Sequence, residues 1–180
     1  MLTNIFRSRK LDRVLSKQRP RLYRLANSWC GDKMLADDLV QDTLGKALLK
    51  QEQLKEFSRM EAWLYRILHN CWMEYLRTNK PAMDIDELNL TSEESPEKKI
   101  TEQQTILQVR KTVEMLPLTQ RQVITLVDLE GCSYAEVTEI LDIPMGTVMS
   151  RLNRARKMLK HQLMKVHNNH ITHNHLRRVK

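Results

Sequence analysis

LPLTQRQVITLVDLEGCSYAEVTEILDIPMGTVMSRLNRARKML, spanning Leu116–Leu159, is the stretch that decides the fold. Val123, Ile124, Leu126, Val127 and Leu129 give Leu118 to Glu130 an apolar face at helical spacing. Gly131 ends that helix, because glycine takes the left-handed cap conformation at little cost. Ser133 and Glu136 stand three apart, the pattern of a capping box opening the next helix. Tyr134, Val137, Ile140 and Leu141 form its buried side. Ile143-Pro144-Met145-Gly146 interrupts it, since proline lacks a donor and clashes with the preceding turn. Pro144 also suits the start of a new helix. The last helix buries Val148, Leu152, Ala155 and Leu159, leaving Ser150, Arg151, Asn153, Arg154, Arg156 and Lys157 outside. A capped pair of helices whose second member has a basic, polar outer face predicts a helix-turn-helix, with that second helix in the DNA major groove. The plain alternative for any one arginine is a solvated surface. The pairing with Ser and Asn, side chains able to bond base edges, favours DNA.

Outward from this stretch the chain is helical. Gly numbers only 4 of 180 residues and aromatics make up 5%. Leu, Met, Lys, Arg, Glu and Gln abound, and strand-like alternation is missing almost everywhere. The fold class read here is all-α: two small helical domains joined by an acidic flexible linker, the C-terminal one a helix-turn-helix. The expected boundaries are 1–80, 81–100 for the linker, 101–162, and 163–180 for a basic, His-rich tail. No apolar run approaches the ~20 residues of a membrane span, and the basic start lacks the apolar stretch of a signal peptide. A cytoplasmic protein without membrane insertion is expected. Cys30, Cys71 and Cys132 have neither pairing nor Cys-x-x-Cys spacing and read as small hydrophobes.

Net charge is +8, and its distribution carries the information. Residues 1–80 hold 16 basic and 9 acidic groups, giving +7; residues 81–100 hold 2 and 6, giving −4; residues 101–180 hold 12 and 7, giving +5. Two basic blocks joined by an acidic strap point to a polyanionic partner for both blocks. Within 81–100, low hydrophobicity and high charge predict a linker that does not order itself.

In the N-terminal block, Leu22, Leu25, Ala26 and Trp29 predict a helix near Arg21 to Cys30, ended by Gly31. Asp32 is positioned to cap a helix over roughly Lys33 to Lys50. Leu35, Leu39, Val40, Thr43, Ala47 and Leu48 line its inner side, and Asp37, Asp38, Gln41 and Asp42 lie outside. A long helix from about Met60 to Thr78 carries Trp63, Leu64, Ile67, Leu68, Cys71, Trp72, Tyr75 and Leu76. His69 reads as a surface residue. A further helix is expected from about Glu102 to Leu116, with Met115 on its apolar side.

Taken in order, Ala36-Asp37-Asp38-Leu39-Val40-Gln41-Asp42-Thr43, Ala62-Trp63-Leu64-Tyr65-Arg66-Ile67, Asn70, Tyr75-Leu76-Arg77, Leu116-Pro117, Gln120-Arg121, Gly131 to Glu136, Ile143 to Leu152 and Arg154-Ala155-Arg156 resemble bacterial sigma factors of the extracytoplasmic-function group, in the sigma-70 family. The match runs over about residues 20 to 162. The resemblance implies a promoter-specificity subunit without enzymatic activity, metal or cofactor. Its partners would be core RNA polymerase, through the β′ clamp and the β subunit, promoter DNA, and an anti-sigma factor of the kind that commonly holds such proteins inactive.

Residue by residue, the resemblance assigns Asp38, Leu39, Gln41 and Asp42 to polymerase binding; the two carboxylates, four apart, share one helix face. It assigns Asn70, Arg66, Tyr65 and Trp63 to recognition and melting of the −10 element, where a base leaves the stack and is held by hydrogen bonds and stacking. Ser150, Arg151 and Arg154 are expected near bases of the −35 element. Thr147, Arg156, Lys157 and Arg121 are expected on phosphates, which position without specifying. Two departures stand out. Phe57-Ser58-Arg59-Met60-Glu61 lacks the glycine that relatives often carry before the −10 helix, and Met149 stands where relatives frequently have arginine. Lys160 to Lys180 holds five of the six histidines; a basic, disordered tail is expected there in preference to a metal site. A stand-alone DNA-binding regulator shares the helix-turn-helix but does not explain the Asp38–Asp42 face, the Asn70 helix or the strap. An interaction protein on the same scaffold would tolerate loss of Arg151 and Arg154.

Overall fold

The computed structural model describes the backbone of residues 2–79 and 109–176, and side chains over 14–79 and 109–164. Six α-helices are α1 (Leu2–Cys30), α2 (Lys33–Leu49), α3 (Met60–Asn79), α4 (Leu118–Ile124), α5 (Tyr134–Leu141) and α6 (Met145–Leu176). Short 3-10 turns at Gln51–Gln53 and Phe57–Arg59 join α2 to α3, and residues 109–114 are helical ahead of α4. Among the described residues there is no strand. The expected acidic linker, and most of the helix expected from Glu102, lie outside the described residues.

Local chemistry sets the helix ends. Gly31 and Gly131 adopt φ of 70° and 74°, conformations that carry little strain only in glycine. Asp32 caps α2, accepting from the amides of Met34 and Leu35 at 2.8 and 3.1 Å. Ser133 and Glu136 close the full capping box on α5. The end of α5 differs from expectation. Asp142, at φ 54°, takes the left-handed cap position, and Pro144 then serves as the residue before α6, its carbonyl accepting from Thr147 and Val148.

Three further elements depart from the sequence reading. α1 runs through Pro20 instead of starting after it; Pro20 is solvent-facing. The helix expected from Leu118 to Glu130 changes to a π turn over Thr125–Leu129. The Thr125 hydroxyl lies within bonding distance of the carbonyls of Arg121 and Gln122 (2.8 and 3.1 Å), competing with the regular ladder. The widened turn rotates the residues at its C-terminal end, and Leu129, expected to be buried, is exposed. α6 continues as helix to Leu176 where a disordered tail was expected. Leu48 and Met115 are also exposed rather than buried.

The buried apolar side chains of both blocks form one continuous cluster. Leu22, Leu25, Trp29, Leu64 and Leu68 join Leu118, Val123, Leu126, Val137 and Ile140 within it. Each such side chain withdrawn from water contributes on the order of 1.5–3 kcal/mol. α1, α2 and α3 pack on one another; α6 packs on both α4 and α5, and the halves meet where α3 lies on α5 and α1 on α4.

Candidate nucleic-acid and polymerase interface

α6 is held down by Val148, Leu152 and Ala155, all buried. This turns the opposite side of its first turns to solvent. Ser150, Arg154, Arg156 and Lys157 are exposed there, and Thr147 and Arg151 are half-buried at its margins. Ser150 donates to the Thr147 carbonyl at 3.1 Å. Arg156 is engaged by a two-pronged contact to Asp128, Nε to Oδ2 at 3.1 Å and Nη2 to Oδ1 at 2.6 Å. The Arg154 side chain makes no hydrogen bond or ion pair with another described residue.

Arg121 requires a correction. Expected on a DNA phosphate, it is 1% exposed. Its guanidinium donates to the carbonyls of Ser28 and Trp29 at 3.4 and 3.1 Å, and to those of Glu114 and Leu116 at 2.6 and 2.7 Å. These oxygens lie at the C-terminal end of α1 and at, or just past, the end of the helical stretch 109–114, where carbonyls lack helical partners and the dipole favours a cation. Burial lowers the Arg121 pKa to about 10, which leaves it charged at neutral pH.

On α3, Asn70 and Arg66 are exposed one turn apart. Trp63 is half-buried and, with Arg66, lines a cavity of about 240 Å3 whose other walls include Leu54, Glu56 and Arg59. Tyr65, expected to stack on a base, is buried instead. Its hydroxyl donates to Glu130 Oε2 at 2.7 Å. Burial, and then this bond to a carboxylate, push the phenol pKa well above its ordinary value. Trp72 is buried and stacks on Tyr75, ring centres 5.7 Å apart. On α2, Asp38 and Asp42 are exposed, and Gln41 donates to Asp37 at 3.2 Å. Leu39, expected to flank the docking face, is buried and belongs to the core.

The sequence reading missed the polar seam between the halves. Glu130 accepts from Tyr65 and from Arg21 Nε, while Arg21 Nη2 reaches the Glu130 carbonyl at 3.0 Å. Trp29 Nε1 donates to Thr125 Oγ1 at 2.9 Å. Gln122 meets His69 at 3.2 Å, and Arg59 pairs with Glu139. His69, expected at the surface, is packed edge-on to Trp29, and burial brings its pKa down to about 4, with Asp142 pulling weakly the other way. One signal was available: Gln122 and Thr125 flank the apolar pair Val123-Ile124, with Arg121 just before them. Among the described residues no group of His, Cys, Asp and Glu could hold a metal ion, and no helix is long and apolar enough to cross a membrane.

Two family profiles match the chain: sigma-70 region 2 over residues 15–81 and sigma-70 region 4 over residues 106–159. The ECF RNA polymerase sigma-E factor of Salmonella typhimurium (strain LT2) is 33% identical over 138 residues, 70% of this chain and 72% of the relative. The same protein of Escherichia coli K12 matches to the same extent. Among solved structures, the sigma factor RpoE of Bartonella quintana, co-crystallised with the anti-sigma factor NepR, superposes with a TM-score of 0.68. That match is 28% identical and covers 86% of this chain and 97% of the other. CnrH, bound to the cytosolic domain of CnrY, shares the fold at 24% identity and a TM-score of 0.61, over 87% of this chain and 89% of CnrH. With both regions present in order and 33% identity to such proteins over 138 aligned residues, the chain belongs to the sigma-70 family, among the ECF RNA polymerase sigma factors.

Proposed function

We propose that this protein binds core RNA polymerase and directs it to promoters, reading the −35 element with α6 and opening the −10 element with α3. Residues 1–80 act as the polymerase-docking and −10 domain and residues 101–162 as the −35 domain, with 81–100 between them. On α6, Ser150, Arg151 and Arg154 face base edges, and Thr147, Arg156 and Lys157 hold phosphates. On α3, Asn70 offers a donor and an acceptor to an extruded base, with Arg66 and Trp63 beside the cavity that would receive it. Asp38, Gln41 and Asp42 present an acidic, polar face to the β′ clamp, and the C-terminal block engages the β subunit. Arg121, Tyr65 and Leu39 act through the core instead of by contact. The observation carrying this reading is the pairing, in family order, of a basic helix-turn-helix with an exposed Arg66/Asn70 helix above a side-chain cavity. An anti-sigma factor is a fitting regulator, since the RpoE relative was crystallised with one.

Reading both elements requires the halves to part. Elements named for positions −35 and −10 lie about 25 base pairs apart, roughly 85 Å at ~3.4 Å per pair. Here Glu139 and Ile140 of α5 form part of the wall of the α3 cavity, so the C-terminal half lies against the −10 reader.

Run-off transcription with purified bacterial core polymerase on a pool of genomic promoter fragments, with and without the protein, tests the proposal. New discrete transcripts are expected, with a shared upstream sequence. Binding to DNA without binding to core would favour the stand-alone regulator.

A further inference from the structure

On α6 the side chains available to DNA are not the arginines alone. Arg156 is engaged with Asp128, and Ser150 bonds its own backbone. Arg151 is half-buried. Arg154 is exposed without a partner among the described residues, and also open on the first turns is Met149, 54% exposed, with Asn153 one turn later on the same face. The Asn153 side chain makes no hydrogen bond with another described residue. Met145, one turn before Met149, is 42% exposed. Gly146 lies between them, and a Cβ added there would meet nothing within 4 Å, so this side of the helix is open to a close-approaching surface.

We infer that Met149 and Asn153 together read A·T base pairs in the upstream promoter element, Met149 against a thymine methyl and Asn153 on the adjoining adenine. This rests on the −35 role proposed for α6. The chemistry is specific to those bases. The side-chain amide of asparagine matches adenine N6 and N7, one donor and one acceptor. The thymine C5-methyl is the apolar group in the major groove, and an unbranched thioether is adaptable enough to cover it. The N-terminal turns of the second helix are those that meet base edges in this motif. Met149 and Asn153, four apart on one face, are spaced to touch the same or neighbouring base pairs.

The test uses the full-length protein with core polymerase on a duplex selected from a library randomised over the upstream element. Thymines are then replaced one at a time by uracil, which removes only the methyl, and adenines by 7-deazaadenine, which removes only the N7 acceptor. One uracil position is expected to weaken binding about fourfold, the effect of one methyl left in water. Met149→Ala should bind both duplexes equally. The 7-deaza change at the same or an adjacent pair should weaken binding about tenfold, within the range of a bidentate base contact. Asn153→Ala should abolish that sensitivity. Sequence-selective binding that is indifferent to every uracil and deaza substitution overturns the inference while leaving the −35 role intact. A library that yields no preferred upstream sequence overturns both.

Discussion

Removing the Tyr65 hydroxyl and the Glu130 carboxylate, singly and together, gives the sharpest test of how the halves are joined. Tyr65 is fully buried, and its hydroxyl bonds a carboxylate whose side chain is 8% exposed. A hydrogen bond to a charged group is worth about 1.5–3 kcal/mol. Tyr65→Phe should cost about 1.5 kcal/mol, near the low end, because Glu130 keeps Arg21. Glu130→Ala leaves the phenol buried without an acceptor and separates Arg21 from its carboxylate. Arg21 is 31% exposed and retains Glu61 at 2.6 Å, so that ion pair is discounted. A total of about 3 kcal/mol results, chiefly from the orphaned hydroxyl. The double variant has no orphan and should also lose about 3 kcal/mol, giving a coupling energy of about 1.5 kcal/mol. Urea unfolding followed by circular dichroism measures all four corners of the cycle. Strictly additive losses would refute the reasoning, because they would mean that Tyr65 and Glu130 do not meet in solution. The phenol supplies a second readout. Its raised pKa means that stability is intact below the ordinary tyrosine value near ~10 and declines as pH rises beyond it. Tyr65→Phe should remove that component of the decline.

The other predictions address separate parts of the molecule. Arg121→Met leaves four carbonyls facing an apolar side chain and should lower stability by about 3–5 kcal/mol, measured by the same unfolding; a loss under ~1 kcal/mol would return Arg121 to the surface. His69 has a depressed pKa, so its contribution is present above about 6.5, the unfolded value, and is lost as pH falls towards about 4. His69→Gln should flatten the stability profile over that window, and an unchanged slope would show that carboxylates alone produce it. Asn70→Ala should leave binding to core polymerase intact and impair promoter opening; normal permanganate reactivity at the −10 element would remove Asn70 from that step.

What was legible in the sequence was local. Asp32, Ser133 with Glu136, Gly31 and Gly131 mark helix ends within a few residues of themselves, and each does so in the fold. The apolar faces of α3 and α5 were equally readable, since periodicity states which side turns inward. The polar seam was not, because it depends on which half lies against which. Arg121 looked like a surface cation until α1 brought the carbonyls of Ser28 and Trp29 to it, over ninety residues away in sequence. Tyr65 and Glu130 likewise meet only across the seam. Leu39 differs: its spacing placed it on the inner side of α2, where the fold puts it, and only the resemblance gave it a docking role. The π turn at Thr125–Leu129 has a side-chain cause, and propensities that treat residues singly do not register it.

The seam also sets promoter occupancy. On the reading proposed above, DNA that spans both elements selects parted molecules, while the Arg121, Glu130 and Trp29 contacts favour closed ones. Measured affinity is then the intrinsic affinity multiplied by the parted fraction, and each ~1.4 kcal/mol of closure weakens it tenfold. Substitutions that tighten the seam would raise the melting temperature and lower transcription together, so the most stable version of this protein would be among the least active.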